Sequence, residues 1–401
     1  MQNKLIPGFF STILLLAIST ASAVEITDPK SIGFDPRKLN IVDTMLNDDI
    51  AAKVVNAATL SIMRKGKLVY HKAFGTRGPG SSSGPLNTND IFRINSMTKP
   101  ITSVAVMMLV EQGRIKLKDP LSKYVPAFAN TKVMKLGKLY PQDKAITIAD
   151  LLRHTSGIVY GFFGDSEVRS LYKKAGLRDN SQTLETWANK LAALPLEHQP
   201  GEVWEYSHST AVLGRVVEVA SGQKLDKFLK KQIFDPLDMI DTGFFVPQSK
   251  VHRIVEPQAP RLSNPAAKPR LLSGGGGLMS TPGDYLAFCT MMLNGGLYKG
   301  HRLLKPETVK EMISNQLGDI QPGNYNLLGG NSGFGYGFAV RLNDIGFSRE
   351  SKGSYRWAGY AGAHFWIDPL KEMIVVFMIQ NPRQSRRYIR KVRAWVYSAL
   401  K

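Results

Sequence analysis

The stretch Phe92-Arg93-Ile94-Asn95-Ser96-Met97-Thr98-Lys99-Pro100 decides how this 401-residue chain is interpreted. An apolar helical pattern begins at Ser96 and runs to Gln112, and Pro100 is tolerated because it falls in the first turn. Ser96 and Lys99 therefore lie one turn apart on the same side of the predicted helix. A serine needs a neighbouring base to act as a nucleophile. Burial and the positive end of a helix both lower the pKa of a lysine, so Lys99 is a candidate for that base.

The same pair, taken alone, also fits a helix that begins at an N-cap serine and carries an exposed lysine. A second segment, Gln199-Pro200-Gly201-Glu202-Val203-Trp204-Glu205-Tyr206-Ser207-His208-Ser209, leads into another helical pattern and favours the catalytic interpretation. With these motifs, the chain resembles the superfamily of serine β-lactamases and penicillin-binding proteins, in the branch of the class C β-lactamases and related esterases. Three further stretches support the resemblance: Leu151 to Gly157, Gly275 to Thr281, and Gly333 to Gly337.

The resemblance implies a set of site residues. The family's first motif, S-x-x-K, is present as Ser96 to Lys99. Its second motif, Y-x-N, stands here as Tyr206-Ser207-His208 and keeps the tyrosine that helps to move protons. The resemblance places its third motif, K-T-G, at Trp357-Ala358-Gly359, which is similar to the W-G-G-like motif of many esterases in the superfamily. The next residue, Tyr360, would then share the oxyanion hole with Ser96 through its backbone N–H.

Two of these positions depart from the β-lactamase pattern. The lysine of K-T-G recognises a substrate carboxylate by charge, whereas Trp357 is uncharged and offers an apolar face suited to an acyl or aromatic group. The asparagine of Y-x-N is replaced by His208, whose reach differs and whose charge depends on pH. Both changes argue against efficient hydrolysis of β-lactams and are compatible with cleavage of esters.

Strand patterns at both ends of the chain enclose a mainly helical middle. The predicted strands span residues 58–63, 68–74, 334–342, 364–368 and 373–380, and a basic amphipathic helix spans residues 386–400. We therefore predict an α+β, β-lactamase/transpeptidase-like fold. Its antiparallel sheet, built from residues 24–95 and 331–401, is flanked by helices, and a mainly helical region, residues 96–330, is inserted between its strands.

The first 23 residues resemble an export signal. Lys4 precedes an interrupted apolar run, and Ala21-Ser22-Ala23 has the small-x-small pattern of a cleavage site. The run is too short to favour a transmembrane anchor. We therefore expect a cleaved signal peptide, residues 1–23, and an exported protein that is periplasmic or secreted.

The formal net charge of +20 favours anionic surroundings such as envelope material. No nucleic-acid-binding module is recognisable. The seven histidines lack metal-ligand spacing, so we predict no metal and no other cofactor. A basic cluster at residues 383–393 fits a solvated helix face, or alternatively contact with an anionic membrane.

The predicted function is that of an exported serine hydrolase that forms an acyl-enzyme on Ser96. A carboxylesterase acting on short-acyl esters is the leading interpretation. The alternatives on the same fold are a β-lactamase, a D-Ala-D-Ala carboxypeptidase, another amide hydrolase and an acyltransferase. A non-catalytic protein that binds envelope polymer is a further alternative, although a pure binder has no need of Ser96, Lys99 and Tyr206 together.

Overall fold

A computed structural model describes residues 25–79, 83–257, 262–323, 327–345 and 349–401. The predicted signal peptide, residues 1–23, lies outside these ranges and stays a prediction. Within them, no helix combines the length and the apolar character needed to cross a membrane.

The α-helices of the described residues lie between the first strands and the last strands and at both ends of the chain. In chain order they are α1 (Pro36–Ala51), α2 (Thr98–Glu111), α3 (Ile148–Leu152), α4 (Glu167–Lys174), α5 (Leu184–Ala192), α6 (Ser209–Ser221), α7 (Leu225–Leu229), α8 (Pro282–Leu293), α9 (Pro306–Met312) and α10 (Ser385–Ser398).

The longer strands come from the two ends of the chain and form one sheet. The strands are β1 (Ala57–Arg64), β2 (Lys67–Gly75), β3 (Phe92–Arg93), β4 (Val133–Lys135), β5 (Lys138–Tyr140), β6 (Val203–Trp204), β7 (Met279–Ser280), β8 (Leu297–Tyr298), β9 (His301–Arg302), β10 (Gln321–Pro322), β11 (Ser332–Phe334), β12 (Ala339–Arg341), β13 (Tyr355–Ala358), β14 (His364–Asp368) and β15 (Met373–Met378). The sheet has the order β11-β12-β13-β14-β15-β1-β2, with every neighbouring pair antiparallel.

Alternation along the central strands gives the sheet two apolar faces. Leu60 pairs with Phe377, and both pack in the cluster that includes α1 and α10. Val376 and Met378 point to the opposite face and join the main core with α2 and α8. The sheet is thus covered on both sides, which matches the layered α+β architecture.

The structure confirms the predicted fold class. Helix α10 covers one face of the sheet and buries Tyr388, Val392 and Val396 there. Helix α8 falls inside the range predicted for the helical region, yet it packs on β15 and β1. The predicted boundaries of the two regions stay predictions.

The single strand predicted for residues 334–342 is wrong. The chain forms the hairpin β11–β12, and the backbone N–H of Gly335 donates to the carbonyl of Phe338 across the turn. Gly337 has φ +96°, a conformation that favours glycine and ends the strand.

Helix α1 was not predicted from the sequence, because its apolar residues are widely spaced. Its N-terminus nevertheless has the expected signals, a capping Asp35 followed by Pro36.

Candidate active site

Ser96 lies where two short strands feed into a buried helix. β3 pairs with β7, and the N–H of Ile94 donates to the carbonyl of Leu278 at 3.1 Å. A 3₁₀ turn, Asn95–Met97, then leads into α2. The Ser96 side chain remains partly exposed at this junction, whereas Met97 is buried. The arrangement gives the serine access to a substrate while holding its backbone rigidly.

Lys99 is buried beside Ser96. Its Nζ lies 3.3 Å from Ser96 Oγ, 3.1 Å from the Tyr160 hydroxyl and 2.6 Å from the carbonyl oxygen of Gly275. Only 1% of the residue is exposed, and this burial lowers the pKa of Lys99 to about 7. Much of the lysine is therefore neutral near pH 7, so the amine is able to accept a proton from the serine.

The glycine run Gly274 to Gly277 explains how a backbone carbonyl reaches Lys99. Side chains here would crowd both neighbouring helices, since a Cβ on Gly274 would meet Thr102 and one on Gly275 would meet Ala211. The absence of side chains lets the chain pass between α2 and α6. The run therefore forms one wall of the site, with the Gly275 carbonyl directed at Lys99.

Tyr206 completes the group around the serine. Its ring centroid lies 4.7 Å from Lys99 Nζ. Burial raises the pKa of its hydroxyl, while the nearby Ser96 hydroxyl and Trp357 indole N–H lower that pKa in part. Neither neighbour reaches full hydrogen-bond geometry with the buried Tyr206 oxygen. Tyr206 is therefore a neutral phenol near pH 7, positioned to donate a proton rather than to remove one.

The two segments predicted to supply the oxyanion donors lie against each other, although they are distant in sequence. Gly359 lies against Ile94, and the N–H of Ala361 donates to Asn95 Oδ1 at 3.3 Å. Asn95 has φ +44°, a strained conformation that asparagine tolerates better than most residues. These contacts bring the backbone of Tyr360 to the same end of the site as Ser96. Within the described part of the chain, no backbone carbonyl accepts a hydrogen bond from the Tyr360 N–H.

Replacing Gly359 with alanine should lower kcat for an ester substrate about 100-fold, the usual effect of losing one oxyanion donor. The new methyl group would overlap the carbonyl oxygen of Ile94 and push Tyr360 away from the serine. Gly330→Ala is the matched control, since nothing lies within 4 Å of a Cβ at that position. Both variants are compared by steady-state kinetics and thermal unfolding. A Gly359→Ala enzyme with normal kcat would contradict this placement of Tyr360.

Trp357 and His208 both lie at this site, but they differ in exposure and in the rings that they contact. Trp357 is only 8% exposed, and its ring packs on Tyr206 and Phe334 at 5.2 and 5.3 Å between centroids. His208 is partly exposed, and its ring lies 4.2 Å from that of Tyr160. Burial, with the charges of Lys99 and Arg178, lowers the pKa of His208 to about 3, so its ring is neutral at physiological pH. Their contact with substrate stays a prediction.

Tyr160 is the residue that the sequence analysis missed. Its hydroxyl contacts Lys99, and its ring packs on Phe162 and Phe163 at 4.7 and 5.7 Å. Burial raises the pKa of Tyr160 well above the ordinary value, so it too is neutral. No spacing rule connects residue 160 with residue 99, because the contact arises from the path of a loop.

A buried ion pair fixes that loop. Arg169 of α4 lies 3.0 Å from Glu205 and also donates to the carbonyls of Tyr160 and Phe163. Glu205 is the neighbour of Tyr206, so a single guanidinium links the two tyrosines that surround Lys99. Burying an ion pair this deeply costs hydration free energy, which the attraction between the charges offsets only with good geometry and additional hydrogen bonds. The two loop carbonyls accept those additional hydrogen bonds from Arg169.

His154 supports the site without entering it. It is buried with φ +61°, and its Nδ1 lies 3.1 Å from Ser207 Oγ. Burial and the charge of Lys99 lower its pKa well below the ordinary value. These features fit a neutral histidine that orders the segment between Trp204 and α6.

A partly exposed serine, a buried lysine with lowered pKa and a neutral tyrosine define a serine hydrolase of the acyl-enzyme type. The comparisons with known proteins agree. The family model described as Beta-lactamase matches residues 42–396. The chain therefore belongs to the β-lactamase family, which includes the penicillin-binding-protein homologues.

Individual relatives span nearly the whole chain. Protein Rv1367c from Mycobacterium tuberculosis is 32% identical over 353 residues, covering 82% of this chain and 87% of its own length. Esterase EstB from Burkholderia gladioli is 27% identical over 376 residues, covering 85% and 90% respectively. Among solved structures, EstCE1, described as a hydrolase with promiscuous acyltransferase activity, has a TM-score of 0.75 at 24% identity and covers 90% of this chain and 99% of its own. The last likeness shows the fold alone.

Proposed function

We propose that this serine hydrolase is an exported carboxylesterase that cleaves esters of short, uncharged acyl groups. The observation that carries the proposal is Trp357, an uncharged and largely buried side chain where a β-lactamase has the lysine of its third motif. The surrounding walls are aromatic, with the Tyr160 ring in contact with both Phe162 and the neutral His208. Such walls favour apolar groups over a carboxylate. The similarity to esterase EstB supports the same choice.

In the proposed reaction, Ser96 Oγ attacks the ester carbonyl carbon as its proton passes to neutral Lys99. The backbone N–H groups of Ser96 and Tyr360 hold the resulting oxyanion. The tetrahedral intermediate expels the alkoxide, which takes a proton from Tyr206, and Tyr206 regains a proton from the Lys99 ammonium. Water then attacks the acyl-enzyme by the reverse sequence, giving the acid and free Ser96.

A second candidate is a carboxypeptidase acting on D-Ala-D-Ala peptides, and Arg178 favours it. Its guanidinium carbon lies 5.0 Å from the centre of the Phe162 ring, and its charge acts on His208. An exposed arginine at this rim offers the charge for a substrate carboxylate that Trp357 lacks.

Parallel assays of p-nitrophenyl butyrate, a chromogenic cephalosporin and a D-Ala-D-Ala peptide separate these functions. We expect kcat/KM to be highest for the neutral ester, and Arg178→Gln to leave that value within about twofold, as an exposed substitution away from the reacting groups should. Rapid cephalosporin hydrolysis would contradict the esterase assignment. Fast peptide cleavage that Arg178→Gln removes would establish the carboxypeptidase instead.

A further inference from the structure

We propose that the hairpin β4–β5, Val133–Tyr140, is a contact site for an anionic lipid surface. Three of its apolar side chains face solvent: Leu136 is 94% exposed, Leu139 59% and Tyr140 44%. Leu136 is the most exposed of the large apolar residues in the described part of the chain. A single exposed leucine is ordinary, but here two leucines and a tyrosine are exposed within residues 136–140. Leu139 and Tyr140 follow each other in β5 and point to opposite faces, so the end of the hairpin is apolar at its tip and on both sides.

The backbone conformation at the hairpin tip is unfavourable for a leucine. Leu136 and Gly137 are the two central residues of the turn, with φ +50° and +72°. Turns of this kind favour Asn-Gly, Asp-Gly or Gly-Gly, since both positions need positive φ. Leucine is poorly suited to that backbone, and at 94% exposure it has almost no contact within the protein to compensate. The side chain therefore serves a contact outside the chain.

Positive charge surrounds the apolar tip. Lys135 and Lys138 flank the turn, and Lys132 and Lys144 are exposed near its base. The acidic groups nearby are Glu167 at the tip and Asp143 and Glu197 towards the base, so the four lysines still outnumber them. Apolar residues that enter the acyl boundary, a tyrosine at headgroup level and lysines against anionic headgroups are the features of an interfacial anchor. A soluble polyanion would bind the lysines but would have no use for exposed Leu136.

The hairpin is joined to the active-site loop by backbone hydrogen bonds. The N–H of Met134 donates to the carbonyl of Leu196 at 3.0 Å, and the N–H of Glu197 donates to the carbonyl of Gly157 at 2.8 Å. Gly157 begins the loop that carries Tyr160. Lipid contact at the hairpin would therefore hold this loop near the same surface. The inference does not depend on which ester or amide the enzyme cleaves.

A fluorescent probe at the hairpin tip tests the proposal on the full chain. Leu136→Cys is labelled with an environment-sensitive nitrobenzoxadiazole, and the only native cysteine, Cys289, is buried and should stay unlabelled. Leu370→Cys is the matched control, because Leu370 is 79% exposed and precedes Lys371. Vesicles of phosphatidylcholine with phosphatidylglycerol should shift the emission of the Leu136 probe to the blue. The Leu370 probe should not respond, nor should either probe with phosphatidylcholine alone.

Two unlabelled variants divide the apolar and charged contributions in a vesicle sedimentation assay. Lys135→Gln combined with Lys138→Gln should weaken binding about 30-fold, from roughly 1 kcal/mol for each lysine. Leu136→Asn should weaken it about tenfold through lost apolar burial, while Asn-Gly suits the turn and keeps the fold intact. An unresponsive Leu136 probe would overturn the proposal. So would full vesicle binding by Leu136→Asn, or equal affinity for soluble polyglutamate, either of which would indicate an electrostatic contact with a polymer.

Discussion

Replacing Ser96 with alanine should reduce ester turnover at least about a thousandfold, as deletion of a catalytic nucleophile does in other serine hydrolases. The variant keeps the fold because the Ser96 side chain is partly exposed and its loss opens no core cavity. Thermal unfolding should therefore be unchanged within a few degrees. The oxyanion donors remain, so residual turnover above the uncatalysed rate is expected.

The measurement has two parts. Steady-state rates with p-nitrophenyl butyrate give the loss, and a fluorophosphonate probe with mass analysis shows whether Ser96 is the residue acylated. Ser170→Ala, an exposed serine on α4, is the matched control and should label and turn over normally. Turnover by Ser96→Ala near that of the wild type would remove Ser96 from the mechanism. A wild-type chain that never labels would instead favour a protein that only binds envelope polymer.

Replacing Lys99 with methionine should lower kcat/KM about 10² to 10⁴-fold, the usual contribution of a general base. Methionine reproduces the lysine side chain as far as Cε and removes Nζ, and with it the proton acceptor and the hydrogen bonds to Tyr160 and Gly275. Lys118→Met, which changes an exposed lysine just beyond α2, controls for the substitution itself. A Lys99→Met enzyme with nearly normal kcat/KM would show that another group removes the serine proton.

The lowered pKa of Lys99 also predicts the shape of the pH profile. Only the neutral amine accepts a proton, so kcat/KM should rise with pH up to about 7 and then level off. Below that pH it should fall tenfold for each pH unit. If the charged lysine were the active form, with Tyr206 ionised as the base, activity would instead fall above about 7. Lys99 and Tyr206 titrate together, so the observed value belongs to the pair.

Much of the fold and part of the site could be predicted from sequence because they depend on local pattern. The hairpin β1–β2 follows alternating apolar residues around Lys65-Gly66, and β14 was placed at its observed bounds. Ser96 and Lys99 meet because helical geometry alone brings residues three apart together. Tyr206 was proposed through a family resemblance, and its ring lies beside Lys99 in the structure.

The missed features depend on contacts between segments that are distant in sequence. Tyr160 reaches Lys99 only because Arg169 holds its loop against Glu205, and no periodicity predicts such a buried pair. The sequence shows that Trp357 is uncharged, but its burial against Tyr206 and Phe334 depends on how the sheet meets the helical region. Sequence pattern locates single elements well, whereas tertiary packing decides which side chains share a cavity.

The order of the sheet has a consequence for how the chain is made. The first long strand, β1, lies between β2 and the last strand, β15, with Thr59 opposite Met378. The ribosome must release nearly the entire polypeptide before that central pairing can form. Contacts this distant in sequence are slow to close and leave apolar strands uncovered meanwhile. We therefore expect the apolar strands of the nascent chain to stay exposed until residues 373–378 have left the ribosome, and chaperones bind segments of this kind.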